Sequence, residues 1–330
     1  MRDTLTEIAL LFPGQGSQSV GMGQALASGS DAANDVFRVC GEALGEDVSR
    51  VAWEGPSEEL DRTENAQPAL LATSLAYLRA LEEALAREGR SLPRPRFYAG
   101  HSMGQYSAMV AAGVLDLSDA VRLVRERGRQ MEASAPDGAM AAVIGLEDAR
   151  ILELEAAGSA AGVLTIANRN SPGQIVVSGE RAAVEAAAEA AKALGAKRAI
   201  ILPVSVAAHS PLMARAAEGM KNVLASVTFR DPSAPLLANA DARPLTSGEE
   251  CRAELIDHLT RGVDWVRIGR SLETAGVEVA VEIGPGRVLT GLMKRIVASM
   301  RAISLDDSSG PTGITVPSFD TSPDPTPVTA

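Results

Sequence analysis

Cysteine is nearly absent from this chain of 330 residues. The two that occur, Cys40 and Cys251, lie far apart, so no disulfide framework is available and a reducing compartment suits both thiols. Histidine is almost as scarce. His101, His209 and His258 are the whole set, and with two distant cysteines they give no metal-ligand spacing, so no metal is expected. Basic charge is short as well, with 31 Lys+Arg against 42 Asp+Glu and a formal net charge of -11. That balance opposes attraction to nucleic acid or anionic lipid. Long apolar runs are missing. The first, Ile8–Phe12 in MRDTLTEIALLFPGQG, is too short for a signal peptide, and no later run approaches a membrane span, so a soluble, cytoplasmic protein is expected.

What is there is enough to build a large core. With 46% hydrophobic and 22% charged residues, the composition fits one large domain with a smaller companion. Short apolar runs alternate with longer helical patterns, which a mostly parallel sheet covered by helices requires. The spacing predicts a first strand at 8–12, then the Gly/Gln-rich loop PGQGSQSVGMG, helices over 31–44 and 68–88, a strand ending at Gly100, and a helix over GQYSAMVAAG. After Pro136-Asp137-Gly138 the texture changes. AMAAVIGL reads as a strand, 147–156 as a helix, GVLTIANRN and QIVVSG as a hairpin, 181–194 as an Ala-rich helix and KRAIILPVS as a strand. Strand, helix, hairpin, helix, strand in about seventy residues is the ferredoxin-like pattern. The fold class is therefore α/β, with an α/β-hydrolase-like parallel sheet over residues 1–136 and 207–304 and an inserted ferredoxin-like unit over 137–206. The tail 305–330, rich in Pro, Ser, Thr and Asp, is expected to be disordered.

Chemistry concentrates where the strand before Gly100 meets the next helix. Gly100-His101-Ser102-Met103-Gly104 matches the nucleophile elbow G-x-S-x-G, a sharp strand-to-helix turn that lifts the serine hydroxyl clear of the backbone. With 30 glycines the spelling could arise by accident in roughly one such chain in five, so its place between strand and helix is what gives it weight. A serine that merely caps the helix is the alternative. A nucleophilic serine needs a base. His101 adjoins Ser102 and the elbow would turn it away. His209, in the loop PVSVAAHSPLM, is the better candidate. His258, in AELIDHLTRGVDW among charged neighbours, reads as a surface histidine. The turn Gly284-Pro285-Gly286 lacks both phosphate-loop patterns and reads as a tight turn.

Six stretches together resemble the malonyl-CoA:acyl carrier protein transacylases, including the discrete acyltransferases of polyketide synthases: LFPGQGSQSVGMG, GHSMGQYSAMVAAGVL, VRERGRQMEASAP, IANRNSPGQIVVSG, VAAHSPLM and EIGPGRVLTGLMKRI, in the family's order over residues 8 to about 300. The resemblance implies a malonyl transfer from malonyl-CoA to the phosphopantetheine thiol of an acyl carrier protein through an acyl-serine, by a monomer with no cofactor. It implies Ser102 as nucleophile and His209 as base, the backbone N–H groups of Gln15 and Met103 as oxyanion hole, and Arg127 as the clasp for the free carboxylate. Asn168 falls in a motif near the cleft. The family orients its histidine with a backbone carbonyl, at a glutamine that this chain replaces with His258. Two further departures stand out. Gln105 occupies a position usually held by glutamate, and Ala208 matches neither residue usual before the base, which leaves open malonyl against a branched or other acyl group. Rival readings are a serine acyl hydrolase, to which an Arg127 needing an anionic partner is opposed, and an idle carrier-protein binding module, to which an intact Ser102, His209 and Arg127 are opposed. Arg287, Lys294 and Arg295 are candidates for docking an acidic carrier protein.

Overall fold

The structure, a computed structural model, describes residues 7–307, 313, 314 and 316–319. Two sheets organise the chain. The larger has six strands in the order β11-β10-β1-β2-β7-β8, with β1 (Ile8–Phe12), β2 (Phe97–Gly100), β7 (Leu236–Leu237), β8 (Pro244–Leu245), β10 (Val279–Glu282) and β11 (Arg301–Ser304). All its pairings are parallel except β7 with β8. Every residue of β1 is buried, as a strand covered on both faces demands. Its side chains alternate between two cores: Ile8, Leu10 and Phe12 meet the helices Asp31–Leu44 and Thr63–Arg87, while Ala9 and Leu11 meet Trp265, Ile268 and Met293 on the other face.

Parallel pairing places the exits of β1, β2, β7 and β10 along one edge of the sheet. The register sets Phe12 beside Gly100 and Leu11 beside Glu282. The PGQG loop, the GHSMG elbow, the segment after β7 and the GPG turn therefore gather at the carboxyl ends, where open α/β sheets bind their ligands.

The smaller sheet runs β6-β3-β5-β4-β9, with β3 (Gly138–Ile144), β4 (Leu164–Ser171), β5 (Gln174–Glu180), β6 (Arg198–Ile201) and β9 (Val263–Asp264). Its first four strands are antiparallel, and with the helices Ile151–Ser159 and Arg181–Ala193 they follow the order a ferredoxin-like unit requires. The fifth strand was not expected. β9 comes from far outside 137–206 and pairs parallel with β4, tying the two sheets together beside Trp265.

Two boundaries differ from the sequence reading. The long helix begins at Thr63, five residues before Pro68, because a proline near the start of a helix loses only one interior bond and does not have to be its first residue. The tail is ordered in the part that is described. Asp306 accepts hydrogen bonds from the Tyr77 hydroxyl and the Gly286 N–H, and Phe319 is buried against the large core. Apolar residues at 314, 316 and 319 spaced among prolines and serines are too sparse to register as a core segment, yet each finds an apolar surface. The rest of the tail lies outside the described residues. Among the described residues no helix is long and apolar enough to cross a membrane.

Candidate active site

The elbow forms because its glycines permit it. A Cβ on Gly100 would sit 2.1 Å from the Gly104 backbone, and one on Gly104 would sit 2.2 Å from the Phe12 carbonyl oxygen. The turn thus packs backbone against backbone, and Ser102 is driven to φ 53°, the left-handed region. Among the described residues only Ser102, His209 and Ala242 are non-glycine residues with positive φ. Two of the three are the predicted nucleophile and base, which fits the tendency of backbone strain to collect at functional sites.

Ser102 Oγ lies 2.8 Å from His209 Nε2. His209 is 3% exposed, in the loop ahead of the short turn Pro211–Met213, and its Nδ1 donates to the carbonyl oxygens of His258 (2.6 Å) and Arg261 (3.0 Å). With the proton fixed on Nδ1, Nε2 is left to accept the Ser102 hydroxyl proton. Among the described residues no carboxylate takes part in this arrangement. Burial first, and the Arg127 charge second, push the imidazole down to about 4, so it is neutral at neutral pH and able to act as a base.

Arg127 is no surface arginine. It lies on the helix Leu117–Ser134, is 1% exposed, and donates to Gln67 Oε1 at 2.8 Å and to Ser102 Oγ at 3.1 Å. Its Nε has no partner, and no carboxylate pairs with it among the described residues. A cavity of about 170 Å³ opens over these groups, lined by Gln15, Ser102, Arg127, Asn168, Ala208 and His209 among others. A larger open groove of about 570 Å³ near Phe97 and Arg270 contains none of them and offers no comparable chemistry.

The remaining predicted residues divide. Met103 is the N-cap of the helix Gly104–Ala111, and Gln15 is held in the cavity wall by its side-chain bond to Thr63 Oγ1. Asn168 lines the cavity with a buried Oδ1 that has no partner among the described residues. His101 turns away from the dyad and bonds Asn170 at 2.9 Å. His258 corrects the sequence reading, because it is 1% exposed, with both ring nitrogens buried and unpartnered beside Tyr106. Its neighbour Asp257 lies exposed on the outer face of the helix Gly248–Asp257, and His258 closes that helix on the inner face. Arg287, Lys294 and Arg295 are exposed, as docking would need. Gln105 uses both ends of its amide, accepting the Gly100 N–H and donating to the Leu237 carbonyl, a pairing an ionised glutamate could not make. Gln67 and Asn239 were missed by the sequence reading. Neither is charged or part of a motif, and only the fold brings them to Arg127 and to the elbow.

Residues 9–310 match the acyl transferase domain family. The chain is 43% identical to the malonyl CoA-acyl carrier protein transacylase of Escherichia coli K12 over 92% of this chain and 97% of that one. It is 42% identical to the Bacillus subtilis protein of that name, over 92% and 94%. Among solved structures, the malonyl CoA-acyl carrier protein transacylase of Coxiella burnetii superposes with a TM-score of 0.85 at 38% identity, over 91% of this chain and 94% of that one. A malonyl-transacylase in complex with a type II polyketide-synthase acyl-carrier protein does so with a TM-score of 0.85 at 40% identity, over 92% and 97%. With its elbow, its histidine and its buried arginine in one cavity, this chain belongs to the malonyl-CoA:acyl carrier protein transacylase family of acyl transferases.

Proposed function

We propose that this protein moves a malonyl group from malonyl-CoA to the phosphopantetheine thiol of an acyl carrier protein, through an ester on Ser102, in the cytoplasmic synthesis of fatty acids or polyketides. The observation that carries this reading is Arg127, a buried guanidinium that reaches the Ser102 hydroxyl and pairs with no carboxylate among the described residues. A buried cation calls for an anionic partner. The free carboxylate of a malonyl group esterified at Ser102 supplies it, held by parallel charge-assisted hydrogen bonds.

In the first half-reaction His209 Nε2 takes the Ser102 proton, Oγ attacks the thioester carbonyl, and the oxyanion is held by the Gln15 and Met103 N–H groups. Collapse expels the CoA thiolate, which recovers the proton from His209. In the second, His209 deprotonates the carrier thiol, the thiolate attacks the ester, and Ser102 leaves with the proton. The Nδ1 bonds to two carbonyl oxygens stabilise the imidazolium formed in each half. Pairing of the malonyl carboxylate with Arg127 also offsets the charge that depresses His209, so substrate binding strengthens the base. Asn168 lines the cleft, and His258 contributes its main-chain carbonyl. The division into a core of 1–136 and 207–304 and an inserted unit of 137–206 belongs to the same reading, with the cleft between them.

Intact-protein mass spectrometry tests it. Malonyl-CoA should add one malonyl mass to the parent protein and none to Ser102→Ala, and added holo-carrier protein should discharge the adduct onto itself. Discharge to water at the same rate without carrier would make the protein a hydrolase instead.

A further inference from the structure

Asn239 carries no charge and matches no motif, yet its side chain grips the elbow from behind. It follows β7, the strand beside β2, and none of its surface is exposed. Its Oδ1 accepts the Ser102 backbone N–H at 2.8 Å, and its Nδ2 donates to the Gly100 carbonyl at 3.0 Å. The two bonds bracket His101 and pin the turn on both sides. Asn239 is itself anchored at both backbone groups: its N–H donates to Glu254 Oε1 at 2.7 Å, and its carbonyl accepts the Asp264 N–H at 2.8 Å.

A non-glycine residue in the left-handed region is strained and persists only where its surroundings hold it. Ser102 is such a residue, and relaxation of its φ from 53° would swing the hydroxyl out of reach of His209. We propose that Asn239 is a positioning residue for acyl transfer, holding Ser102 in the backbone conformation that keeps Oγ within hydrogen-bond distance of His209 and Arg127. This rests on the reading of Ser102 as nucleophile. The site needs a donor and an acceptor at once, which an amide provides. Alanine provides neither. An ionised aspartate accepts from Ser102 but sets a charged oxygen against the Gly100 carbonyl, whereas a protonated aspartic acid restores both bonds.

The test measures the rate of acyl-serine formation against malonyl-CoA concentration in Asn239→Ala and Asn239→Asp, by rapid quench and intact mass. Asn239→Ala should slow the saturated rate about 10- to 100-fold, as expected for a displaced reacting atom, with half-saturation moved by less than about threefold. The ratio of Asn239→Asp to the parent should climb as pH falls from about 8 to about 5.5, where the new carboxyl takes up its proton. The titratable and charged groups around it are Glu254, Asp264 and His101 on neighbouring segments and Asp241, Arg243 and Arg261 near its own loop. All of these are present in the parent too, so the ratio isolates the new carboxyl. A parental saturated rate in Asn239→Ala, a change in half-saturation alone, or a ratio flat with pH would overturn the proposal, and the ratio decides alone if the alanine variant does not fold. Ser102→Ala run alongside separates the two claims. If it still acquires the malonyl mass, the nucleophile assignment falls; if it stays inert while the Asn239 variants run at the parental rate, only the positioning role falls.

Discussion

Replacing Arg127 by alanine is the sharpest probe of which acyl group the site accepts. The guanidinium is 1% exposed and spends one amino group on Gln67, so the amino group on Ser102 and the unpartnered Nε remain for a ligand. Truncating one partner of a buried, hydrogen-bonded charge pair costs about 2 to 5 kcal/mol, or roughly thirty- to several-thousand-fold in the specificity constant. Malonyl transfer should fall by that order. Acetyl transfer should hold or rise, because an acetyl group brings no carboxylate to strand without its cation. The variant has a second signature. Arg127 is the largest charge depressing His209, so its removal should move the acidic limb of the acetylation profile upward from about 4 toward the ordinary histidine value. The assay is the initial rate of acyl-serine formation with malonyl-CoA and acetyl-CoA over a range of pH, with circular dichroism to check the fold, since Gln67 Oε1 loses its donor. If the two acyl groups slow together and the pH limb stays where it was, Arg127 supports the fold, and the selection of a dicarboxylic acyl group needs another explanation.

His209→Ala should lower both half-reactions by on the order of a hundred- to ten-thousand-fold, the usual cost of losing a general base. His258→Gln should cost far less, because it accepts the His209 hydrogen bond through its main-chain carbonyl and its ring meets His209 only edge-on, at 6.1 Å between centroids; single-turnover rates giving equal losses would contradict the orienting role. Glu254 tests a buried carboxyl away from the chemistry. Burial, with Asp241 adding to it, raises the group from 4.5 to about 7. Its folded value lies above its unfolded one, so its contribution to stability is present below about 4.5 and is lost as pH rises through about 7, amounting to roughly 3 kcal/mol at about 1.4 kcal/mol per pH unit. Glu254→Gln keeps the acceptor for Asn239, so its melting temperature should exceed the parent's at pH 8 and converge with it toward pH 5; a difference constant with pH would refute the assignment. Charge reversal at Arg287, Lys294 and Arg295 together should raise the Michaelis constant for carrier protein and leave acylation by malonyl-CoA unchanged. Unaltered carrier-protein kinetics would remove that surface.

Read alone, the chain already announces the parallel sheet, the helix that follows Gly100, and Ser102 and His209 as candidate nucleophile and base. These are local signals: an apolar run closed by G-x-S-x-G needs no distant partner to be recognised, and with only three histidines few candidate bases are on offer. The order of strands and hairpin over 138–201 was legible for the same reason, since alternation and turn residues act within a few positions. Local charge misled where depth mattered. His258 carries the charged neighbours of a surface and is buried, because a helix presents its inner and outer faces within one short stretch of sequence. The tail misled in the opposite way, its few apolar residues finding a core that its composition does not announce. It takes the folded chain to bring β9 into the smaller sheet, Gln67 to Arg127, and Asn239 to the elbow across 137 residues of chain. An amide's hydrogen bonds are short-ranged and leave no periodicity in sequence, so their partners exist only once the backbone has brought them within about 3 Å.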